Sequence, residues 1–568
     1  TDLCIAYPAA GFAVAANQLV KFKIPWSTHM LFNSYIFLFL FLPLCLGGFY
    51  LFAHWGKSVP AKLWLTGFSL WFYGYFNPSY LLIMIFSILL NYVCFRLINI
   101  TRMRVARGGI GRGRASEAQM AINRLSGNRL SGGQPEGKHI PGKFTLRPNW
   151  SRIMMAVGVI CNLGILVYFK YFDFFIENVN AVFGTSFLLK GILLPLGISF
   201  FTFQQIGFLV DTYRGEIREC SLLDYALFVS FFPQLIAGPI VNHNEMMPQF
   251  DKIGKQKLDW NRFASGVFLF TLGMVKKVLV ADTFGKAVSW GYQNIFTLNS
   301  IDSLLLMLFY TIQLYFDFSG YCNMAIGLAE LFGIKLSINF NSPYKAIDIE
   351  DFWKRWHMTL NRFFTKYLYI PLGGNRKGKW KMCRNLLLVF VFSGIWHGAG
   401  WTFIIWGALH GVVYVLTRLW ILHQQRGGKI KQRSRINKFI GTICTFVFIN
   451  VTWVFFRSET VGQALEIFRH LFTGGIALPA EAMMQSFNLD EFWYVIKLLH
   501  LDSLPYSQMY LGGIITVVTM AVVFFAPNAD EVAVRFRPKA WNALVTAGLF
   551  LWCVLSLSGV SSFLYFNF

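Results

Sequence analysis

Residues 30–52 read MLFNSYIFLFLFLPLCLGGFYLF, and apolar runs of this kind recur to the end of the chain. A run of about 20 apolar residues is the length that crosses the hydrocarbon core of a bilayer as an α-helix. The runs lack the period-two alternation of outer-membrane strands, so a closed barrel is disfavoured. In lipid the backbone must satisfy its own hydrogen bonds, which leaves a helical bundle. The expected fold class is an all-α polytopic membrane protein. Spans are expected near 31–53, 62–76, 79–98, 152–175, 187–211, 262–282, 302–333, 385–398, 401–421, 437–456, 509–527 and 540–560.

Composition agrees. Hydrophobic residues make up 55% of the 568 and charged residues only 14%, against about 25% charged in soluble domains. A formal charge of +24 would suggest a nucleic-acid partner in a soluble chain. Here the basic residues sit between apolar runs, which is the positive-inside pattern. The loop 99–150 carries Arg102, Arg104, Arg107, Arg112, Arg114, Arg124, Arg129, Lys138, Lys143 and Arg147 against Glu117 and Glu136. Its Gly, Ser and Pro content predicts a poorly ordered cytoplasmic segment. Counting back three helices places Met30 outside. Residues 1–29 read as an N-terminal extension ahead of Met30, a candidate start; Thr1 to Val20 lack the basic region of a secretory signal.

The nine cysteines, Cys4, Cys45, Cys94, Cys161, Cys220, Cys322, Cys383, Cys444 and Cys553, form no CxxC pair and have no histidine at ligand spacing. They read as small buried apolar residues, with no metal site indicated.

Two stretches do not read as simple spans. Residues 222–241 carry Pro233 and Gly238-Pro239, which break a helix at membrane depth and suggest a re-entrant segment. From Asp351 to Pro371, a helical plot puts Phe352, Trp356, Leu360, Phe363 and Tyr367 on one face. Arg355, Arg362 and Lys366 form a basic stripe on one edge, with His357 and Asn361 on the other. The stretch is either an interfacial helix on lipid headgroups or part of a site. The basic segment RKGKWKMCR (376–384) puts this region on the cytoplasmic side.

His397 follows the run NLLLVFVFSGIW. An ionisable group there is costly unless it faces protein or a cavity, and a neutral imidazole can accept a proton. Gly394, Gly398 and Gly400 leave room beside it for a ligand or a close-packed helix. His410, in GALHG, is held in reserve as a core histidine. In QLYFDFSGYCNMAIG (313–327), Asp317, Ser319, Tyr321 and Asn323 make a polar seam that either orients a histidine or bonds helix to helix.

These motifs carry a resemblance. PLGISFFTFQQIGFLVDTYRGEI (195–217), FFPQLIAGPIV (231–241), FDFSGYCNMAIGLAELFGIKL (316–336), DFWKRWHMTLNRFFTKYLYIPLGGNRKG (351–378) and SGIWHGAGWTFIIWGALHG (393–411) together resemble the membrane-bound O-acyltransferase superfamily. The likeness is to the bacterial branch serving alginate, peptidoglycan and cellulose O-acetylation, and it covers residues 30 to 568. It implies a conical bundle with a cytoplasmic and an outer funnel, in a bacterial inner membrane. Residues 30–184 would be N-terminal helices, 185–422 the catalytic core, and 423–568 C-terminal helices with an outer-face tail. The histidine of the family's WHG motif is His397 here, and its usual second histidine is His357. The family commonly has Ser-Asp where this chain has Cys322-Asn323, so no charged role is carried over to position 323.

The implied activity is transfer of an acetyl group from a cytoplasmic thioester, with His397 as general base. Acetyl-CoA is the expected donor substrate and a carrier-protein thioester its rival; no cofactor is expected. Arg355, Arg362 and Lys366 would hold the CoA phosphates. The expected partners are membrane lipid, an exported polysaccharide acceptor and an outer-face transferase of the SGNH type. Tyr565, in the tail SSFLYFNF, resembles the tyrosine that carries the acyl group in a small protein accompanying the D-alanylation member; otherwise it is an interfacial anchor. A transporter without covalent chemistry and a lipid acyltransferase are the alternatives.

Overall fold

The computed structural model describes residues 30–125, 150–254, 258–426, 434–487, 493–500, 504–559 and 563–564. Among them are helices but no strands, and eight helices are long and apolar enough to cross a membrane. These are Phe37–His54, Pro78–Arg102, Trp150–Phe183, Trp260–Gln293, Ser300–Leu331, Trp401–Gln425, Arg435–Arg457 and Ser507–Phe525. Two further helices, Ser58–Phe76 and Ala540–Leu555, pack beside them.

Ser300–Leu331 is the central post. Its start is fixed by a capping box in which the Asn299 side chain accepts from the Asp302 N–H and the Asp302 carboxylate from the Asn299 N–H. Such reciprocal caps satisfy two orphan donors at once. The post packs on Trp260–Met274 through facing glycines: a Cβ on Gly266 would lie 2.9 Å from the Gly327 carbonyl, and one on Gly273 2.7 Å from that of Gly320. Small residues at such positions let two backbones approach in lipid, where packing replaces the hydrophobic drive.

One end of the bundle is tied together by Arg102 on the Thr212 carbonyl, Gln249 on that of Lys335, and Arg418 on Glu350. This end bears Lys377, Lys379, Lys381 and Arg384, and the charge rule expects such an end to be the cytoplasmic one. The other end is joined by Tyr80 on the Leu193 carbonyl, Trp401 on Asn178 and Ser300 on that of Gly475.

Residues 222–241 form the expected re-entrant element. Helix Leu222–Ser230 turns at Phe231 into Phe232–Leu235, and the segment returns to helix His243–Phe250. Residues 227–241 are buried throughout, so the interrupted backbone is shielded from lipid. The Phe232 N–H donates to Ser69 Oγ (3.2 Å) and that of Ile240 to Thr359 Oγ1 (3.0 Å).

Three expectations are corrected. The span 187–211 does not exist as drawn: Trp150–Phe183 runs longer, and the next helix begins only at Ile198. The intervening loop is supported by side chains of the preceding helix. Asp173 accepts from the N–H groups of Lys190 and Ile192, and Asn180 from that of Phe187. Apolar content alone does not separate such a loop from a span. The loop 99–150 is not irregular at its start, because helix Pro78–Leu125 continues into it; residues 126–149 lie outside the described residues. Cys444 is exposed on a span rather than buried, unlike Cys45, Cys94, Cys322 and Cys553. Cys4 and the rest of 1–29 lie outside the described residues.

Candidate functional site

The fourth correction creates the site. Residues 351–371 are not one helix. Ile349–Arg355 ends at Trp356, His357 adopts a left-handed backbone (φ 45°), and a new helix runs Met358–Phe364 before a wider turn at Thr365–Tyr369. A β-carbon in this region costs about 1–2 kcal/mol. Asn339, on the extended stretch after the central post, offsets it. Its carbonyl accepts the Met358 N–H (3.0 Å), and its side-chain Oδ1 accepts from Thr359 N (3.2 Å) and Thr359 Oγ1 (2.9 Å) and meets His357 Nδ1 at 3.2 Å. The segment is therefore two short helices broken at His357, which is 1% exposed rather than on the edge of an interfacial helix.

Because an amide oxygen only accepts, the proton of neutral His357 belongs on Nδ1, leaving Nε2 with the lone pair. The ring lies 6.5 Å from that of His397, centroid to centroid, and 4.8 Å from Phe318.

His397 is the last residue of helix Lys379–His397. The helix packs antiparallel to Trp401–Arg426, where Gly394 faces the Phe403 carbonyl and Gly407. Of the two uses foreseen for that glycine, the structure has close helix packing. His397 is 4% exposed and lies among Trp406 (5.2 Å), Phe456 (5.1 Å) and Trp396 (4.8 Å). From the neighbouring helix, Lys170 donates to the carbonyls of Trp396 and His397 (3.0 Å for the latter), and Tyr171 to that of Ile395 (2.6 Å). A narrow cleft of about 50 Å³ is lined by Lys170, Ser199, Ile236, Trp396, His397 and, at its outer-end side, Phe76 and Leu194.

The basic stripe is not a free cationic surface. Arg355 is paired with Asp351 (2.8 Å), and Arg362 grips both oxygens of Glu245 (2.5 and 2.9 Å). Lys366 bridges Asp211 and Glu216, each at 2.9 Å. Asp211, 1% exposed, also accepts from the Tyr367 hydroxyl (2.7 Å) and faces His243 Nδ1 (3.4 Å).

His410 is fully engaged. Its Nδ1 accepts from Trp353 Nε1 (3.2 Å), so its proton sits on Nε2, 3.0 Å from Thr452 Oγ1. The polar seam bonds helix to helix: Asp317 pairs with Lys277 (2.7 Å), which also holds Asp282 (2.7 Å), and Asn323 accepts from Lys276 (2.7 Å) and donates to Asp530 (3.2 Å). Asp317 also accepts the N–H of Leu564 (3.0 Å), and Phe563 stacks on Tyr321 (4.5 Å). Residues 563–564 therefore lie in the bundle beside Phe318; Tyr565 lies outside the described residues.

Sequence reading missed Lys170, Asn339 and Asp211. Lys170 had a signal, a lone lysine in the apolar run GILVYFKYF, where an intramembrane charge marks a functional site. Asn339 had none. Among the described residues no group of His, Cys, Asp and Glu could hold a metal ion.

Comparison with known proteins bears on this arrangement. Residues 209–458 match the membrane-bound O-acyltransferase family, a range that includes both histidines. The chain is 37% identical to the peptidoglycan O-acetyltransferase of Helicobacter pylori, over 95% of this chain and 98% of that one. It is 34% identical to the probable alginate O-acetylase AlgI of Pseudomonas putida, over 95% and 100%. A teichoic acid D-alanyltransferase of Streptococcus thermophilus is 28% identical over 46% of this chain and 67% of that relative.

Proposed function

The chain belongs to the membrane-bound O-acyltransferase family, and from that premise we propose that it passes an acetyl group across a bacterial inner membrane for O-acetylation of an exported polysaccharide, with His397 as general base. The names of the long-range relatives support a polysaccharide acceptor, and their bacterial sources support the membrane. One observation carries the mechanism: two buried histidines, one at a helix break and one at a helix end, meet at 6.5 Å between ring centroids, and His397 lines a cleft toward the outer end.

In this reading a thioester, acetyl-CoA, enters from the cytoplasmic end, where Arg355, Arg362 and Lys366 receive its phosphates by exchanging them for their carboxylate partners. A hydroxyl attacks the acyl carbon, its proton passes to His397, and the C–S bond breaks to release the thiolate, which takes up that proton. His357, with its lone pair on Nε2, orients or relays that proton. Tyr565 is the proposed acceptor hydroxyl. The anchoring of Phe563 and Leu564 beside Phe318 and Asp317 supports a tail that reaches the site, because the phenol belongs to the next residue in the chain. A phenol needs such a base, its unperturbed pKa being about 10. An outer-face transferase of the SGNH type would then move the acetyl group to the polymer.

The test uses purified protein in lipid nanodiscs with acetyl-CoA radiolabelled in the acetyl group. Release of CoA and label on the chain are expected from the parent, and label is expected to vanish in Tyr565→Phe. His397→Ala should slow both by about 10²–10⁴-fold. Near-parental rates in His397→Ala would remove it as the base, and full polymer acetylation by Tyr565→Phe would leave that residue an anchor. Label on phospholipid instead would point to a lipid acyltransferase.

A further inference from the structure

We infer that Lys170 is a second catalytic group of the outer-end cleft: its ammonium binds the oxyanion that develops on the acyl carbonyl while the acyl group is transferred beside His397. The inference rests on the base role proposed for His397.

The first support is position. Lys170 sits in the span Trp150–Phe183 and lines the same cleft as His397. A lysine at membrane depth is costly and is kept where it does work. The second is donor count. An ammonium has three N–H groups in a tetrahedral array; two are used on the carbonyls of Trp396 and His397, which fixes the nitrogen at the end of the helix that bears the imidazole. The third is left for the cleft. A further support is charge. Both of those contacts are neutral backbone carbonyls rather than carboxylates. Lys366, by contrast, is held by two carboxylates. A cation that is not already neutralised, in a water-poor cleft, is what stabilises a forming oxyanion most.

The step balances. The hydroxyl oxygen forms a bond to the acyl carbon as its proton goes to His397, and the carbonyl π pair moves onto oxygen, where the third Lys170 N–H receives it. The pair returns, the C–S bond breaks, and the proton goes from His397 to the departing thiolate. Lys170 keeps its protons throughout.

The competing explanation is structural. Lys170 caps a helix C-terminus, and a cation there is favourable in any case. Tyr171 separates the two, because it caps the Ile395 carbonyl of the same helix end without a charge. The experiment measures base-releasable acetate on the envelope polysaccharide of cells that depend on this chain, at matched protein level, together with thermal stability of the purified variants. Lys170→Gln, which keeps donors and loses the charge, is expected to fall at least tenfold, with Tyr171→Phe within twofold of the parent. Lys170→Cys treated with 2-bromoethylamine rebuilds an ammonium and is expected to recover, the parent treated alike serving as control; this arm also serves if Lys170→Gln does not accumulate. Parental acetylation by Lys170→Gln, with His397→Ala inactive, overturns this inference and leaves the base role standing. Parental acetylation by both overturns the two together. Equal losses in Lys170→Gln and Tyr171→Phe, or no recovery on alkylation, reduce Lys170 to a helix cap.

Discussion

His410 and His357 are both buried among aromatic rings, 0% and 1% exposed, and both are neutral rings with one nitrogen facing a protein group of defined polarity. The backbone beneath them differs. His410 sits within the unbroken helix Trp401–Arg426, and its second nitrogen meets Thr452, whose hydroxyl in turn reaches the Ile449 carbonyl (3.0 Å). The ring is a crosslink between two helices. His357 sits where a helix stops and restarts, and the break turns its ring toward His397. The break lets the His357 ring leave the regular packing of a helix face and meet His397, which is what the proposed function asks of it.

That contrast can be broken from either side. The largest effect is expected for His357→Ala, which should lower the acetyl-transfer rate by about 10²-fold or more at unchanged protein level; a rate near the parent's would make His357 a second crosslink. Next comes the cytoplasmic side. Arg355→Glu with Arg362→Glu should raise the KM for acetyl-CoA about tenfold, and adding Glu245→Arg should return thermal stability by restoring the pair with polarity swapped, without returning donor affinity. If KM recovers with stability, the arginines serve the fold and not the donor. Asn339→Leu, which removes the acceptor that selects the His357 tautomer, should cost a smaller factor in kcat, with Asn339→Asp recovering much of it. The smallest effect on rate is reserved for His410→Phe. It keeps an aromatic ring and strands the Trp353 donor and the Thr452 acceptor, so stability should drop by about 1–3 kcal/mol in thermal or denaturant unfolding while the rate holds. A rate loss there exceeding that of His357→Ala would invert the comparison.

Legibility in the sequence followed the physics of each element. The apolar runs at 302–333, 401–421, 437–456 and 509–527 are close to the helices observed, because a bilayer admits few other answers. The re-entrant 222–241 was legible because Pro233 and Gly238-Pro239 announce a broken backbone. The break at His357 carries neither glycine nor proline, and a periodic plot runs straight through it. What imposes it is Asn339, 18 positions earlier in the chain, and no local pattern records that. The region 187–197 misled for the converse reason: it is apolar enough for lipid, yet Asp173 and Asn180 satisfy its backbone from outside.

The sequence by itself determined the membrane class and pointed to the basic end of the bundle and the two histidines worth attention. Those depend on hydropathy, charge balance and local motifs, which add along the chain. Only the tertiary structure decided which of the polar groups are already occupied. Arg362 finds Glu245 across 117 positions and Lys366 finds Asp211 across 155, while Lys170 reaches the helix end at His397 across 227. Ion pairs and tautomers are set by whatever packing brings within 3 Å or so, and in a bundle of long helices the nearest group in space is seldom near in sequence.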